Sequence, residues 1–181
     1  MTTNRLDLQV ISGNALSPQR KDEIILLCNR AYEEDLTGLF ATFTDATHIL
    51  GYTDGLLISH ALWVTRYLQA GTGPLMRTAY VEMLATDLAY RGRGFAAAIM
   101  RRIIDEVQGY NLAALSPFGR EYYQRLGWEL WQGPLWIRMG DTLLASPPED
   151  EEEVMIYRLP RTPTLDLTLS LSAEWREGEL W

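Results

Sequence analysis

The chain has 181 residues, of which 47% are hydrophobic, and its formal net charge at pH 7 is -8. This length and apolar content allow one domain, or at most two, and we predict a single domain over residues 1–181. The negative charge argues against nucleic acids and anionic membranes as partners, because both bind basic surfaces. It suits a cationic substrate, although charge that serves only solubility is the ordinary alternative.

No apolar run approaches the length of a membrane span, and residues 1–10 are too polar for a signal peptide, so we expect a cytoplasmic protein. Cys28 is the only cysteine, so no internal disulfide and no metal site of cysteine type is expected. It is expected to be a core residue rather than a nucleophile, since no histidine lies near it in sequence. His48 and His60 lie in apolar strand patterns and are expected to be structural, so no metal is predicted.

The first half of the chain predicts a strand, a helix and a hairpin. Residues 6–11 alternate as a strand, and Ser17 followed by Pro18 gives a cap and first turn for a helix that ends near residue 32. Strands are predicted over residues 47–52 and 56–68, joined at the hairpin signal Thr-Asp-Gly.

A strand, a turn and a helix between residues 80 and 107 organise the chain. The strand covers residues 80–86, and from Gly94 to Val107 apolar residues recur at helical spacing with charged residues opposite them. The turn reads Arg-Gly-Arg-Gly-Phe-Ala over residues 91–96. Glycines let the backbone approach a ligand, a helix start has unpaired N–H groups, and arginines bind phosphate oxygens. The turn therefore predicts a pyrophosphate site.

Two families of anion-binding turn compete for this segment. Residues 92–97 fit the dinucleotide fingerprint G-x-G-x-x-[GA], but the acidic residue expected about twenty positions later is replaced by Leu-Ala-Ala-Leu-Ser over residues 112–116. The alternative is the signature of the GNAT acetyltransferases: arginine or glutamine, two residues, glycine, one residue, then glycine or alanine. Residues 91–96 match it throughout, so the turn resembles that of the GNAT family.

The GNAT resemblance implies a cofactor and the residues that hold it. In that family the amides of this turn bind the pyrophosphate of acetyl-CoA, and the preceding strand pairs with the pantetheine arm. The residues that the resemblance assigns to acetyl-CoA are Leu84, Ala85, Thr86, Arg91, Gly92, Arg93, Gly94, Phe95 and Ala96.

A second GNAT-like feature follows the organising helix. Residues 111–115 predict a short buried strand, and residues 118–126 predict a helix with a tyrosine pair that ends at Gly127, before Trp128 opens a strand. With two motifs at the family's spacing, the expected fold is α/β, more specifically α+β: the GNAT acyltransferase fold. It has a mixed, mostly antiparallel central sheet that is flanked by helices and splayed at strands 4 and 5.

Motifs along nearly the whole chain resemble the aminoglycoside 2'-N-acetyltransferases within this family. They are Asp35, Tyr80-Val81-Glu82, Arg91-Gly92, Ala114-Leu115-Ser116, Gly127-Trp128, Leu159-Pro160 and the ending Trp175-Arg176-x-Gly178-acid-aliphatic-Trp181. The resemblance implies a polycationic aminoglycoside as substrate and a set of residues that touch it. These are Asp35, Glu82, Met83, Ser116, Glu151, Glu152, Glu179 and Trp181.

The chain departs from the subfamily's pattern in its acidic residues and in one helix. Glutamates stand at 151, 152 and 179 where the family has aspartates, and Asp150 could hold the role given to Glu152. The helix after Ser116 begins with Pro117 and is expected to be shortened.

Acetylation of an amine needs a neutral nitrogen, a polarised thioester and a proton for the departing thiolate. The proton of the ammonium is expected to pass to Glu82 or to the carboxylate of Trp181. A backbone N–H near Leu84 would polarise the carbonyl, and Tyr123 would protonate the thiolate. The alternative for Glu82 is a surface strand residue, and for Tyr123 a core aromatic residue.

Three functions stay open at this point. The first is an antibiotic-modifying enzyme that acetylates the 2'-amine of an aminoglycoside, and the second is the same chemistry on kasugamycin or another small polyamine. The third is a non-catalytic acyl-CoA-binding module. The resemblance also allows a homodimer, in which Trp131 and Trp136 could form an interface, although they could equally line the site or the core. Trp181 is expected to be packed, because tryptophans at a free tail would be costly to leave in water.

Overall fold

The computed structural model describes residues 6–146 and 152–181 of the chain. Its backbone contacts divide it into two compact units: Met1–Val64 with Val81–Glu106, and Thr65–Tyr80 with Val107–Trp181. Two long strands, β3 (Leu56–Ala70) and β4 (Leu75–Thr86), run through both units. In the described part of the chain, no helix is long and apolar enough to cross a membrane.

Within its described residues, the first unit combines part of a sheet with three α-helices. In addition to its parts of β3 and β4, it contains β1 (Asp7–Ser12), β2 (Thr47–Thr53), α1 (Pro18–Tyr32), α2 (Thr37–Thr42) and α3 (Phe95–Glu106). β1 pairs antiparallel with β2, and β2 pairs antiparallel with β3 through the predicted hairpin. Ser17 caps α1 by accepting a hydrogen bond from the Arg20 N–H, as its sequence predicts.

The core of the first unit lies between α1 and the sheet. Ile24, Leu27 and Cys28 of α1 pack in one buried cluster with residues of β2, β3 and β4, including Met83 and Ala85. Because this cluster fixes the C-terminal part of β4, it positions the strand that the sequence assigns to acetyl-CoA.

The second unit contains all the remaining strands of the described residues. They are β5 (Leu112–Leu115), β6 (Glu129–Leu130), β7 (Leu135–Met139), β8 (Thr142–Ala145), β9 (Met155–Arg158) and β10 (Leu171–Glu174), with the short helix α4 (Arg120–Gln124). Their hydrogen-bonded order, including the parts of β3 and β4 in this unit, is β6-β9-β5-β4-β3-β10-β7-β8. The pairs β4·β5 and β10·β7 are parallel, and the other described pairs are antiparallel, so the predicted mixed, mostly antiparallel sheet is confirmed.

The pairing of β4 with β5 is short, as the predicted splay requires. β5 pairs with Thr78–Tyr80 only, although β4 continues to Thr86. Beyond Tyr80 the strand therefore carries the predicted cofactor residues without β5 beside it.

Several predicted bounds differ from the structure. β4 begins at Leu75 rather than at residue 80, and the helix predicted over residues 118–126 spans only Arg120–Gln124. The helix begins only at Arg120, because Gly119 at its N-cap adopts a positive φ of 82°. Phe118 therefore lies outside the helix, and it is 94% exposed. Trp131 is not at an exposed surface but buried, and its indole N–H donates to the Leu169 carbonyl at 2.8 Å.

Candidate active site

Four successive carbonyl groups of β4 each accept a hydrogen bond from a side chain of the first unit. The pairs are Met83 with His60 Nδ1 at 3.2 Å, Leu84 with the Tyr32 hydroxyl at 3.0 Å, Ala85 with Ser59 Oγ at 2.9 Å, and Thr86 with Arg91 Nε at 3.4 Å. Side chains from α1, from β3 and from the turn after β4 thus fix the orientation of its peptide groups. This is the segment that the sequence predicts to pair with the pantetheine arm.

Met83 interrupts the regular geometry of the strand, because its φ is 52°. An unbranched residue that is not glycine pays roughly 1 kcal/mol for this left-handed conformation. Its side chain is nevertheless buried in the core cluster, and its carbonyl is held by His60. The surrounding structure therefore maintains a local irregularity at the start of the predicted cofactor segment.

The turn after β4 has the shape of an anion cradle. Asp87 accepts a hydrogen bond from the Ala89 N–H at 3.0 Å and so orders the entrance to the turn. Gly92 and Gly94 have φ values of 77° and 81°, and a Cβ added at either would meet no atom within 4 Å. The open space at both glycines and the N–H groups at the start of α3 fit a pyrophosphate.

Both arginines of the turn have partners within the first unit. Arg91 donates from Nη2 to the Ala31 carbonyl at 2.7 Å and thereby ties the turn to the end of α1. Arg93 donates to the Ala89 carbonyl at 3.2 Å, and its guanidinium lies 5.0 Å from the centre of the Tyr90 ring. The sequence suggested phosphate contacts for these arginines but did not reveal that Arg91 also shapes the turn.

Two predicted substrate carboxylates of the first unit have different environments. Glu82 is only 9% exposed, so it is not the surface strand residue that was its alternative. Asp35 is exposed, and its Oδ1 accepts from the Thr37 hydroxyl at 2.6 Å and from the Thr37 N–H at 3.0 Å. These hydrogen bonds from Thr37 lower the pKa of the Asp35 carboxyl, which therefore stays ionised at the start of α2.

Tyr123, the predicted proton donor, is a buried residue of α4. Its ring makes an edge contact with the rings of Tyr122 and Trp128, and the main-chain N–H of Trp128 donates to the Tyr123 carbonyl at 3.1 Å. Burial, helped by Tyr122, raises the pKa of the Tyr123 phenol to about 12. The hydroxyl therefore keeps its proton at any working pH, which is the state that a proton donor requires.

The predicted packing of Trp181 is confirmed. Its side chain is 2% exposed, and its indole N–H donates to Ser146 Oγ at 2.7 Å. The preceding segment is held by Arg66 of β3, which donates to the Leu180 carbonyl at 2.6 Å and to the Glu174 carbonyl at 2.7 Å. Arg176 donates to a main-chain oxygen of Trp181 at 3.3 Å.

Ser116, another predicted substrate residue, is connected to the same segment through Tyr80. The Tyr80 hydroxyl lies 3.1 Å from Ser116 Oγ, and the Tyr80 ring contacts the guanidinium groups of Arg66 and Arg176 at 5.0 and 5.3 Å. Arg66 was not among the residues predicted from the sequence. The available signal was a lone arginine within the apolar strand pattern of residues 56–68.

The predicted acidic residues of the second unit are not all described. Glu152 is half-buried and Glu179 is exposed, whereas Glu151 and its neighbour Asp150 lie outside the described residues. Across residues 6–146 and 152–181, no group of three His, Cys, Asp or Glu side chains could hold a metal ion.

Comparison with known proteins identifies similar sequences and folds. Residues 16–131 match the family model of the acetyltransferase (GNAT) domain. The chain is 36% identical over 131 residues to the aminoglycoside 2'-N-acetyltransferase of Mycolicibacterium fortuitum, a match that covers 70% of this chain and 67% of that protein.

Two solved structures resemble the fold at 20% sequence identity. One is a GNAT family N-acetyltransferase of Escherichia coli in complex with CoA, with a TM-score of 0.64 over 98% of this chain and 94% of that chain. The other is a probable N-acyltransferase of unknown function from Enterococcus faecalis V583, with a TM-score of 0.58 over 72% of this chain. That match spans only 33% of the Enterococcus protein.

Proposed function

Since the chain belongs to the GNAT family and is an acetyl-CoA-dependent N-acetyltransferase, we propose that its acceptor is the 2'-amine of an aminoglycoside antibiotic. The observation that carries this proposal is the 36% identity over 131 residues to an aminoglycoside 2'-N-acetyltransferase. By this activity the enzyme would confer antibiotic resistance. Membership of an enzyme family argues against the alternative of a non-catalytic acyl-CoA-binding module.

The charge of the chain supports a polycationic acceptor. It has 24 acidic and 16 basic residues, and aminoglycosides carry several ammonium groups. Asp35 and Glu179 are exposed and would attract a cation from solution, while Glu152 is half-buried. Such attraction speeds association and weakens as salt screens it, so the acceptor KM should rise with ionic strength.

The proposed mechanism is a direct transfer in a ternary complex. Acetyl-CoA supplies the activated acetyl group when it is bound. Glu82 takes a proton from the acceptor ammonium, which leaves the nitrogen lone pair free to form the new amide bond. The Leu84 N–H donates to the oxygen on which negative charge develops, and Tyr123 gives its proton to the sulfur as the carbon–sulfur bond breaks. The attacking nitrogen then loses its second proton to water, and the Tyr123 phenolate takes up a proton from water to restore the phenol.

The environments of these residues support their proposed roles. Glu82 is largely shielded from water, and shielding strengthens its interaction with a bound ammonium. Tyr123 has its pKa raised to about 12, so it remains protonated but is a weaker acid than an exposed tyrosine. Trp181 is the other candidate for holding the ammonium, and Arg66 and Arg176 fix the segment that carries it.

A smaller amine such as kasugamycin is the second candidate acceptor. The observation that favours it is the short helix after Ser116, since α4 has only 5 residues and follows an exposed Phe118. A changed loop beside a predicted substrate residue would alter which sugar fits, while the chemistry at the amine stays the same.

We place the reaction in the cytoplasm, where acetyl-CoA is made, and we keep the homodimer as a prediction. Light scattering on the purified protein measures the dimer directly, and a mass equal to that of one chain would contradict it.

The test is thiol release from acetyl-CoA with purified protein and a panel of amines. Gentamicin and tobramycin carry an amine at the 2'-position, whereas kanamycin A and amikacin carry a hydroxyl there. We expect turnover of the first pair only. Turnover of kasugamycin alone would support the second candidate, and turnover of kanamycin A would contradict the proposed regiochemistry.

The same assay tests the proposed base. E82Q removes the carboxylate that accepts the proton and should lower kcat by about 10²- to 10⁴-fold. E121Q, a change at an exposed glutamate of α4, is the matched control and should leave kcat unchanged. An unchanged kcat in E82Q would mean that another group is the base, and the carboxylate of Trp181 would be the next candidate.

A further inference from the structure

A buried cluster of the first unit has no part in the proposed mechanism, yet it contacts the cofactor strand. It consists of Cys28 on α1, His48 on β2 and His60 on β3, which are 0%, 2% and 0% exposed. His48 Nδ1 lies 3.0 Å from His60 Nε2, and His60 Nδ1 lies 3.2 Å from the Met83 carbonyl oxygen and 3.7 Å from Cys28 Sγ.

The hydrogen-bonding rules fix where the protons of this cluster lie. A carbonyl oxygen can only accept, so His60 Nδ1 must carry the proton and donate it to Met83. In a neutral imidazole the other nitrogen is then an acceptor, so His48 Nδ1 must donate to His60 Nε2. Burial lowers the pKa of His48 to about 4 and that of His60 to about 3, which keeps both rings neutral.

We propose that His60 is a positioning residue that aims the Leu84 N–H at the thioester carbonyl of acetyl-CoA. The Met83 carbonyl and the Leu84 N–H belong to one trans peptide, in which the two groups point in opposite directions. By holding the Met83 carbonyl, His60 turns the Leu84 N–H away from the α1 side of β4. His48 supports this arrangement because it fixes the tautomer and the ring orientation of His60.

The strand needs such a residue because of its irregular backbone. The positive φ of Met83 rotates this peptide out of the regular strand geometry, so a side chain rather than a regular ladder partner must hold its carbonyl. A donor aimed at developing charge is effective only when it is held in place before the reaction. The inference therefore rests on the role proposed for the Leu84 N–H, and it does not depend on which amine is the acceptor.

Cys28 belongs to the cluster but does not hold the Met83 carbonyl. Burial raises the pKa of its thiol to about 12, so it stays protonated and unreactive. The thiol therefore serves as a packing neighbour of His60, and C28A provides a matched control that changes the cluster without removing the hydrogen bond to Met83.

The first test uses the unmodified protein. Nitrogen-15 NMR of the histidine rings reports which ring nitrogen carries the proton. We expect His60 protonated at Nδ1 and His48 protonated at Nδ1, both neutral at pH 7. A His60 ring protonated at Nε2 could not donate to Met83 and would overturn the inference.

The second test measures the bound thioester directly. Isotope-edited infrared spectroscopy of acetyl-CoA labelled at the acetyl carbonyl should show a lower stretching frequency on the unmodified enzyme than in water. On H60L, the stretching frequency should return most of the way to its value in water. H60N retains an N–H donor at nearly the same place as Nδ1 and should restore the lowered frequency, and C28A should leave it unchanged.

The outcomes distinguish the role of His60 from the role of the Leu84 N–H and from the identity of the acceptor amine. No lowering on the unmodified enzyme would overturn both the Leu84 role and the inference, whereas equal lowering in H60L would overturn the inference alone. With any amine that the unmodified enzyme turns over, H60L should lower kcat about tenfold or more, while the acceptor KM stays unchanged. If H60L changed only KM, or if H60N did not restore kcat, the result would likewise contradict a positioning role.

Discussion

The guanidinium of Arg66 lies 5.0 Å from the centre of the Tyr80 ring, and both side chains are fully buried. Through this contact, β3 connects the segment around Ser116 with the last residues of the chain, although the two are distant in sequence. Arg66 donates to the Leu180 carbonyl, 114 residues away, while the Tyr80 hydroxyl bonds to Ser116. Ser116 and Trp181, both predicted to touch the acceptor, are thus held through a common pair of side chains.

Replacement of Arg66 should therefore damage stability and acceptor binding together. R66M removes the donors to the Leu180 and Glu174 carbonyls and should cost about 3 kcal/mol of unfolding free energy, measured by urea denaturation. The acceptor KM should rise, whereas the acetyl-CoA KM should not, because the predicted cofactor residues lie in the other unit. R102M, at an exposed pair with Glu106, is the control and should cost less than about 0.5 kcal/mol.

The two glycines of the turn should be required for acetyl-CoA binding rather than for folding alone. G94A forces an alanine into a positive φ of 81° at a cost of about 1 kcal/mol, and it places a methyl group in the open space proposed for the pyrophosphate. We expect the Kd for CoA, measured by calorimetry, to rise at least about tenfold. G109A is the control: it also adds a methyl group where no atom lies within 4 Å, but the φ of Gly109 is not positive. The Kd of G109A for CoA should therefore equal that of the unmodified protein.

Local patterns in the sequence predicted the strand, the turn and the helix around the proposed cofactor site. The alternation of the strand, the Arg-Gly-Arg-Gly turn and the apolar stripe of α3 depend on neighbouring residues, and the structure has each of these elements. Met83 was named as a substrate residue, but its positive φ and its hydrogen bond to His60 were not foreseen. A strand pattern carries no signal for a single residue that is held irregular by a side chain of another strand.

The contacts around Ser116 and Trp181, the predicted acceptor residues of the second unit, were harder to predict because they join distant residues. Residues 171–174 have no clear strand signal, yet they form β10 between β3 and β7. Arg66 meets its partners in the last 8 residues of the chain only because that strand brings them to β3. Contacts of this kind depend on strand order, which the composition of a segment does not encode.

Tyr123 should act on the chemical step without affecting ligand binding. Y123F keeps the ring contacts with Tyr122 and Trp128 but removes the proton donor, so kcat should fall about 10²-fold or more at unchanged KM values. Since an acid must be protonated and the pKa of Tyr123 is about 12, its loss of a proton should not limit kcat between pH 7 and about 10. A kcat within about twofold of the unmodified enzyme would assign Tyr123 to the core alone.

The buried histidine pair should make the fold sensitive to mild acid. The folded protein keeps His48 and His60 neutral, with pKa values of about 4 and about 3, while the unfolded chain binds protons at its histidines near pH 6.5. The stability contributed by their neutral state is therefore complete above pH 6.5. It is lost as pH falls toward the folded pKa values, by about 1.4 kcal/mol per pH unit for each histidine.

Urea denaturation at pH 7.5, 6 and 5 measures this loss. H60N removes one of the two titrating rings, so its unfolding free energy should fall about half as steeply between pH 6 and pH 5. C28A retains both rings and should follow the slope of the unmodified protein, even if its stability at pH 7.5 is lower. Equal slopes for H60N and C28A would mean that His60 binds a proton as readily in the folded protein as in the unfolded chain, and would contradict its neutral, donating state.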